Sequence, residues 1–169
     1  MPRHMLALAS LVTVFVLCAA SPRGLPPEVA AHLDEMDNVC KVVGKPLKSK
    51  LVEHGNLVAK GMEIWAIDEG KYECDGAASL FSGSGGAEVV VFMRMPDNSI
   101  KQVFEHGAYG MRMERSGASD TIWLTIGGPL CGQPGNPSHA ASIHCERPLQ
   151  WDAAKQRMDF APLSQARFK

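Results

Sequence analysis

Cysteine placement constrains this chain more than any other feature. Beyond the first 20 residues lie four cysteines, Cys40, Cys74, Cys131 and Cys145, with no Cys-x-x-Cys pair among them. Zinc ribbons and thioredoxin-type redox sites need two thiols on one short turn, so neither is indicated. In a chain that leaves the reducing cytoplasm, an even set of spaced cysteines reads as disulfides. Four cysteines allow three pairings. Cys40–Cys74 with Cys131–Cys145 is preferred because each joins near neighbours along the chain. Each bridge is worth about 3–4 kcal/mol in the chain-entropy model, a large share of the ~5–15 kcal/mol that a domain retains.

The N-terminus indicates the compartment. Met1-Pro2-Arg3-His4-Met5 is short and positively charged, and residues 6–20 form an apolar and small-residue run of 15. Cys18-Ala19-Ala20 closes the run with the small residues a signal peptidase reads, so residues 1–20 are expected to be a cleaved secretory signal. A bilayer span needs about 20 apolar residues. No later run approaches that length, so no transmembrane span is expected in residues 21–169, which read as a single globular domain. Of the 17 basic and 18 acidic residues, the leader removes only Arg3, which leaves a net charge of −2. That balance argues against a dedicated nucleic-acid binder, which would carry a basic excess.

Periodicity then gives the elements. Val29, Leu33, Met36 and Cys40 recur every three or four residues, which predicts a helix over about 27–42. Pro27 and Glu28 suit its first turn, while Gly44 and Pro46 stop it. The rest reads as strands over 63–68, 87–95, 100–105, 109–114, 121–126, 142–146, 149–152 and 157–160. Pro96-Asp97-Asn98-Ser99 is a turn signal, and Gly/Ser/Pro-rich loops are expected at 82–86 and 127–138. Trp65, Trp123 and Trp151 fall in these strands and are core candidates. The expected fold class is α+β: a mostly antiparallel sheet with an N-terminal helix packed on it, braced by disulfides.

Several motifs bear on chemistry. Glu-His-Gly occurs twice, as Glu53-His54-Gly55 and Glu105-His106-Gly107. Two histidines and two carboxylates are the ligand types of a zinc site. Neighbours on a strand point to opposite faces, however, so one Glu-His pair does not easily give two ligands. The glycine stretch around Ser84 lacks the glycine two residues before the serine, and the following helix, that a nucleophile elbow needs. It also lacks the Gly-Lys-Ser/Thr of a phosphate loop. Lys41, Lys45, Lys48 and Lys50 cluster after the helix and offer charge to anionic lipid or peptidoglycan.

The segment Gly55-Asn56-Leu57-Val58-Ala59-Lys60-Gly61-Met62-Glu63-Ile64-Trp65 resembles the calcium loops of FG-GAP-type repeats in outline. It keeps the turn glycine, Gly61, and runs into a strand. The slots for oxygen ligands hold Asn56, Val58, Lys60 and Ile64, where calcium needs six to eight oxygens. The resemblance therefore implies a loop that keeps the shape without the metal: a plain surface loop, or alternatively one in which the Lys60 ammonium stands in for the ion's charge. More broadly, the leader, the helix ending in Cys40, the 76–86 glycine stretch and the cysteine-bearing sheet are similar to small exported proteins of Gram-negative bacteria without assigned activity. Some of those close the glycine loop with flanking cysteines, where this chain has Ser82 and Ala87. That similarity implies an envelope location.

The expectation from these readings is a periplasmic or secreted, non-enzymatic binding protein whose partner is a protein or a cell-wall component. No cofactor is implied. Inhibition of a hydrolase is one specific form, with the loop held by Cys131 and Cys145 as the presenting element. The alternatives are a small metal-dependent hydrolase using Glu53, His54, Glu105 and His106, and a calcium-stabilised adhesion module.

Overall fold

A computed structural model describes residues 24–47, 49–57, 62–117, 119–135 and 137–168. The readings of residues 1–20, Lys48, Val58, Lys60 and Gly61 lie outside them. The helix, α1, runs Pro27–Val43 and buries Val29, Leu33, Met36 and Cys40 as the predicted stripe. It stops at Gly44, where a Cβ would collide with the Asp75 carbonyl oxygen, so only glycine fits this close approach.

Twelve strands follow in the described residues. They are β1 (Lys45–Pro46), β2 (Val52–Asn56), β3 (Glu63–Asp68), β4 (Cys74–Asp75), β5 (Ser82–Gly83) and β6 (Gly86–Arg94), then β7 (Ile100–Ala108), β8 (Gly110–Ser116), β9 (Ser119–Gly127), β10 (His144–Asp152), β11 (Arg157–Phe160) and β12 (Arg167–Phe168). One antiparallel sheet has the order β2-β3-β6-β7, with β5 on the start of β6. A second has the order β8-β9-β10-β11, with β12 also on β10. β1 and β4 form a small third pair.

The layers are helix, first sheet, second sheet. Trp65, Ile67, Val90 and Phe92 face α1, while Ile64, Ala66, Val89, Val91 and Met93 face the second sheet. Both faces of β6 are thus buried, which explains the unbroken Val89-Val90-Val91-Phe92 run. The second sheet contributes Ile122, Leu124, Ile126 and Leu149 to the shared core. Only Tyr109 separates β7 from β8, and its N–H donates to the Thr125 carbonyl at 2.8 Å. One extended run therefore leaves the first sheet and enters the second at a corner.

The α+β expectation holds, as do both preferred disulfides. Cys40–Cys74 ties α1 to β4, and Cys131–Cys145 closes the segment between β9 and β10. The two strands expected over 142–146 and 149–152 are one strand, β10, running through Pro148. A proline inside such a run signals a strand break because it cannot donate. Here its carbonyl accepts the Ala161 N–H at 2.9 Å, and the strand continues.

Candidate functional site

The segment joining β9 to β10 is built to hold one shape. Gly128 sits at φ 62°, and its N–H donates to the Ile143 carbonyl at 3.0 Å. A 3-10 turn, Gly128–Cys131, delivers Cys131 to its buried disulfide with Cys145. Gly132 then reverses the chain at φ 80°, and a Cβ there would strike the Leu163 side chain. Gln133 spans the neck of the loop. Its Nε2 donates to the Ala141 carbonyl at 2.9 Å, and its Oε1 accepts the Ile143 N–H at 2.8 Å. Ser142 Oγ donates to the Ser138 carbonyl at 3.1 Å. Arg147 anchors the base by donating from Nη1 to the Leu130 carbonyl at 2.8 Å, and from Nε and Nη2 to Ala161. Burial lowers the Arg147 pKa from its ordinary value, though a guanidinium remains charged in proteins. Outside this brace Pro134, Gly135, Ser138, Ala140 and Ile143 face solvent. The Gln133 and Ser142 bonds thus tie both ends of the loop together at its neck.

The first Glu-His-Gly segment lies on β2. The His54 ring stacks on Trp65, its register partner on β3, with centroids 5.1 Å apart. His54 Nε2 lies 3.5 Å from Glu63, which accepts from Arg94 Nε at 2.7 Å. That bond is the largest cause holding the Glu63 carboxyl below its ordinary range, against the opposing effect of burial. These residues line a cleft of about 550 Å³ beside the start of α1. Glu53 turns the other way, 3.6 Å from Lys71 Nζ.

The second segment lies on β7. His106 pairs in register with Val89, on the face toward the second sheet, and its ring meets Phe160 edge-on at 5.2 Å. Its Nδ1 is 2.7 Å from the Gly107 carbonyl, and Glu105 accepts from Gln102 Nε2 at 2.6 Å. The structure does not bring the histidines together. β2 and β7 are the outer strands of the first sheet, three strand spacings or about 14 Å apart. His54 faces α1 and His106 faces the second sheet. No group of three or more His, Cys, Asp or Glu side chains among the described residues could hold a metal ion.

Of the calcium-loop outline, Asn56 ends β2 opposite Glu63, and its N–H donates to Asp120 Oδ2 at 2.9 Å. Leu57 and Met62 then close a hairpin neck, with the Leu57 N–H on the Met62 carbonyl at 3.2 Å. Trp65 and Trp123 are buried and Trp151 is half-buried. On the outer face of the second sheet, the guanidiniums of Arg167 and Arg112 lie 3.8 and 5.1 Å from the Trp123 ring. Both arginines donate to Glu114.

Sequence reasoning missed the Gln133 brace and the Glu63–Arg94 and Arg112–Trp123–Arg167 groups. Each joins residues from separate elements. Only strand parity, Glu63 with Trp65 and Arg112 with Glu114, hinted at a shared face. No protein-family model, curated protein or solved structure matches the chain.

Proposed function

We propose that the protein is an exported, non-enzymatic binding module of the cell envelope that presents the 133–143 loop to a protein partner. Occlusion of a hydrolase is the specific form this loop suits. The observation that carries the reading is the double hydrogen bond of Gln133 across a neck already closed by Cys131–Cys145. A loop ordered before contact loses little entropy when it docks, which is how small rigid scaffolds gain affinity. The leader at residues 1–20 and the two disulfides support export. The placement of His54 and His106 on opposite faces weighs against the metal-dependent hydrolase.

The test is cross-linked capture from envelope extract with the oxidised protein, beside a form whose residues 133–143 are replaced by a Gly/Ser linker. A single partner that is lost with the loop, and that binds the purified protein directly, supports the proposal. Equal capture by both forms overturns it.

A further inference from the structure

The last turn of α1 is pinned on one side and bare on the other. Cys40 is fully buried and bonded to Cys74. Val42 lies opposite that buried stripe and Val39 to one side of it, while Val43, three residues past Cys40, continues the stripe to the helix end and is bare there. They are 43%, 83% and 53% exposed, and Leu47, one residue past β1, is 44% exposed. These four stand among only eight large apolar side chains exposed in the described residues, yet they fall within residues 39–47. Valine is a poor helix former, so local propensity does not explain a valine pair at this helix end.

Three lysines surround the patch. Lys41, Lys45 and Lys50 are exposed, and none is in an ion pair among the described residues. Lys41 donates only to Asn38 Oδ1, at 3.0 Å. Acidic side chains share this corner: Glu35 lies one turn before Val39, Asp75 is the register partner of Lys45, and exposed Glu73 adjoins Leu47, whose N–H donates to the Glu73 carbonyl at 3.0 Å.

A second observation adjoins the first. A cavity of about 600 Å³ opens between α1 and the chain leading into β2, walled by Leu25, Leu33, Leu47 and Leu51, with Lys50 and with Asp37, which accepts from the Tyr72 hydroxyl at 2.8 Å, also in its lining. Leu47 belongs to both the exposed patch and this wall, so the two apolar surfaces are continuous. The volume is that of an ordinary small-ligand site.

We propose that this corner is a contact site for anionic phospholipid at a bilayer surface. The lysines meet lipid phosphates, Val42, Val43 and Leu47 seat among the upper acyl carbons, and the cavity accepts part of one acyl chain. Apolar side chains flanked by lysines are what interfacial binding requires, since each force alone is weak. A second copy of the chain fits less well. The patch exposes on the order of 300 Å², well under the ~800 Å² per partner of a stable interface.

The test is co-sedimentation of the protein recovered after export with vesicles of phosphatidylglycerol and phosphatidylcholine, or of phosphatidylcholine alone. Mass spectrometry first reads its N-terminus. An uncleaved 6–20 run would bind bilayers by itself, and in that case the difference between variants is the readout. Binding to the anionic vesicles is expected, with little to phosphatidylcholine. It should weaken about fivefold for each of K41Q, K45Q and K50Q, and at least about tenfold for V42D/V43D. These residues are exposed, so circular dichroism and thiol titration should find the variants folded and oxidised. Vesicle binding unchanged by V42D/V43D overturns the proposal. So does absence of anionic-vesicle binding, or self-association in sedimentation velocity that V42D/V43D abolishes while vesicles are ignored.

Discussion

Gln133 holds Ile143 across the neck of the 133–143 loop, accepting its backbone N–H at 2.8 Å while donating to the Ala141 carbonyl at 2.9 Å. Both bonds belong to one side chain, so Gln133→Ala removes them together and leaves Cys131–Cys145 in place. The expected loss of global stability is about 1 kcal/mol, because the groups released can meet water. The local effect should be larger. Hydrogen exchange at the Ile143 amide should accelerate strongly, and partner affinity should fall about tenfold as preorganisation is lost. An unchanged Ile143 exchange rate would show that the brace does not order the loop.

The two disulfides should differ in worth. Cys40 and Cys74 are 34 residues apart, and Cys131 and Cys145 are 14 apart. Loop-closure entropy then assigns about 4 kcal/mol to the first and about 3 kcal/mol to the second. Urea unfolding of C40S/C74S and C131S/C145S measures both. The reverse order would mean that packing around Cys131, where Arg147 reaches the Leu130 carbonyl, outweighs the entropic difference.

Much of the fold could be read from the sequence because its signals are local. The stripe Val29-Leu33-Met36-Cys40 and the run Val89-Val90-Val91-Phe92 each carry their own periodicity. The near-neighbour cysteine pairing was readable for the same reason. What escaped depends on contacts between distant segments. Nothing around Tyr109 announces that β7 and β8 belong to different sheets, since the corner is set by a bond to Thr125. Pro148 looked like a break because its partner, Ala161, comes from beyond the next hairpin. For the repeated Glu-His-Gly, the parity that separates each Glu from its own His was readable, but the sheet order that separates the two histidines was not.

Glu63 should make the first sheet acid-sensitive. The Arg94 hydrogen bond comes first among the causes that depress its pKa, and His54 adds to it. The folded value lies below the unfolded one. Ionised Glu63 therefore stabilises the fold above about pH 4.3, and that contribution is lost as pH falls through the folded value. The Glu63 and Arg94 side chains are 34% and 32% exposed. Solvent screening keeps the effect under about 1 kcal/mol. Glu63→Gln should lower the urea midpoint at pH 7 slightly and reduce its decline on acidification. Equal declines for E63Q and the wild type would show that the ion pair adds nothing.

Gly86 and Gly83, on either side of the turn into β6, differ in what the backbone demands of them. Gly86 opens β6 at φ 95°, and a Cβ there would collide with the Ala108 carbonyl and crowd the Tyr109 nitrogen. Those atoms form the corner between the sheets, so the crowding cannot be relieved by a side chain stepping aside. Gly83, on β5, has nothing within 4 Å of where its Cβ would sit. Gly86→Ala should therefore cost at least about 2 kcal/mol through its left-handed backbone alone, before the collision is counted. Gly83→Ala should stay within about 0.5 kcal/mol of the wild type. Thermal unfolding of the two variants side by side makes the comparison. Equal tolerance would mean that the chain at Ala108–Tyr109 can move, and that the corner is not the fixed hinge between the two sheets.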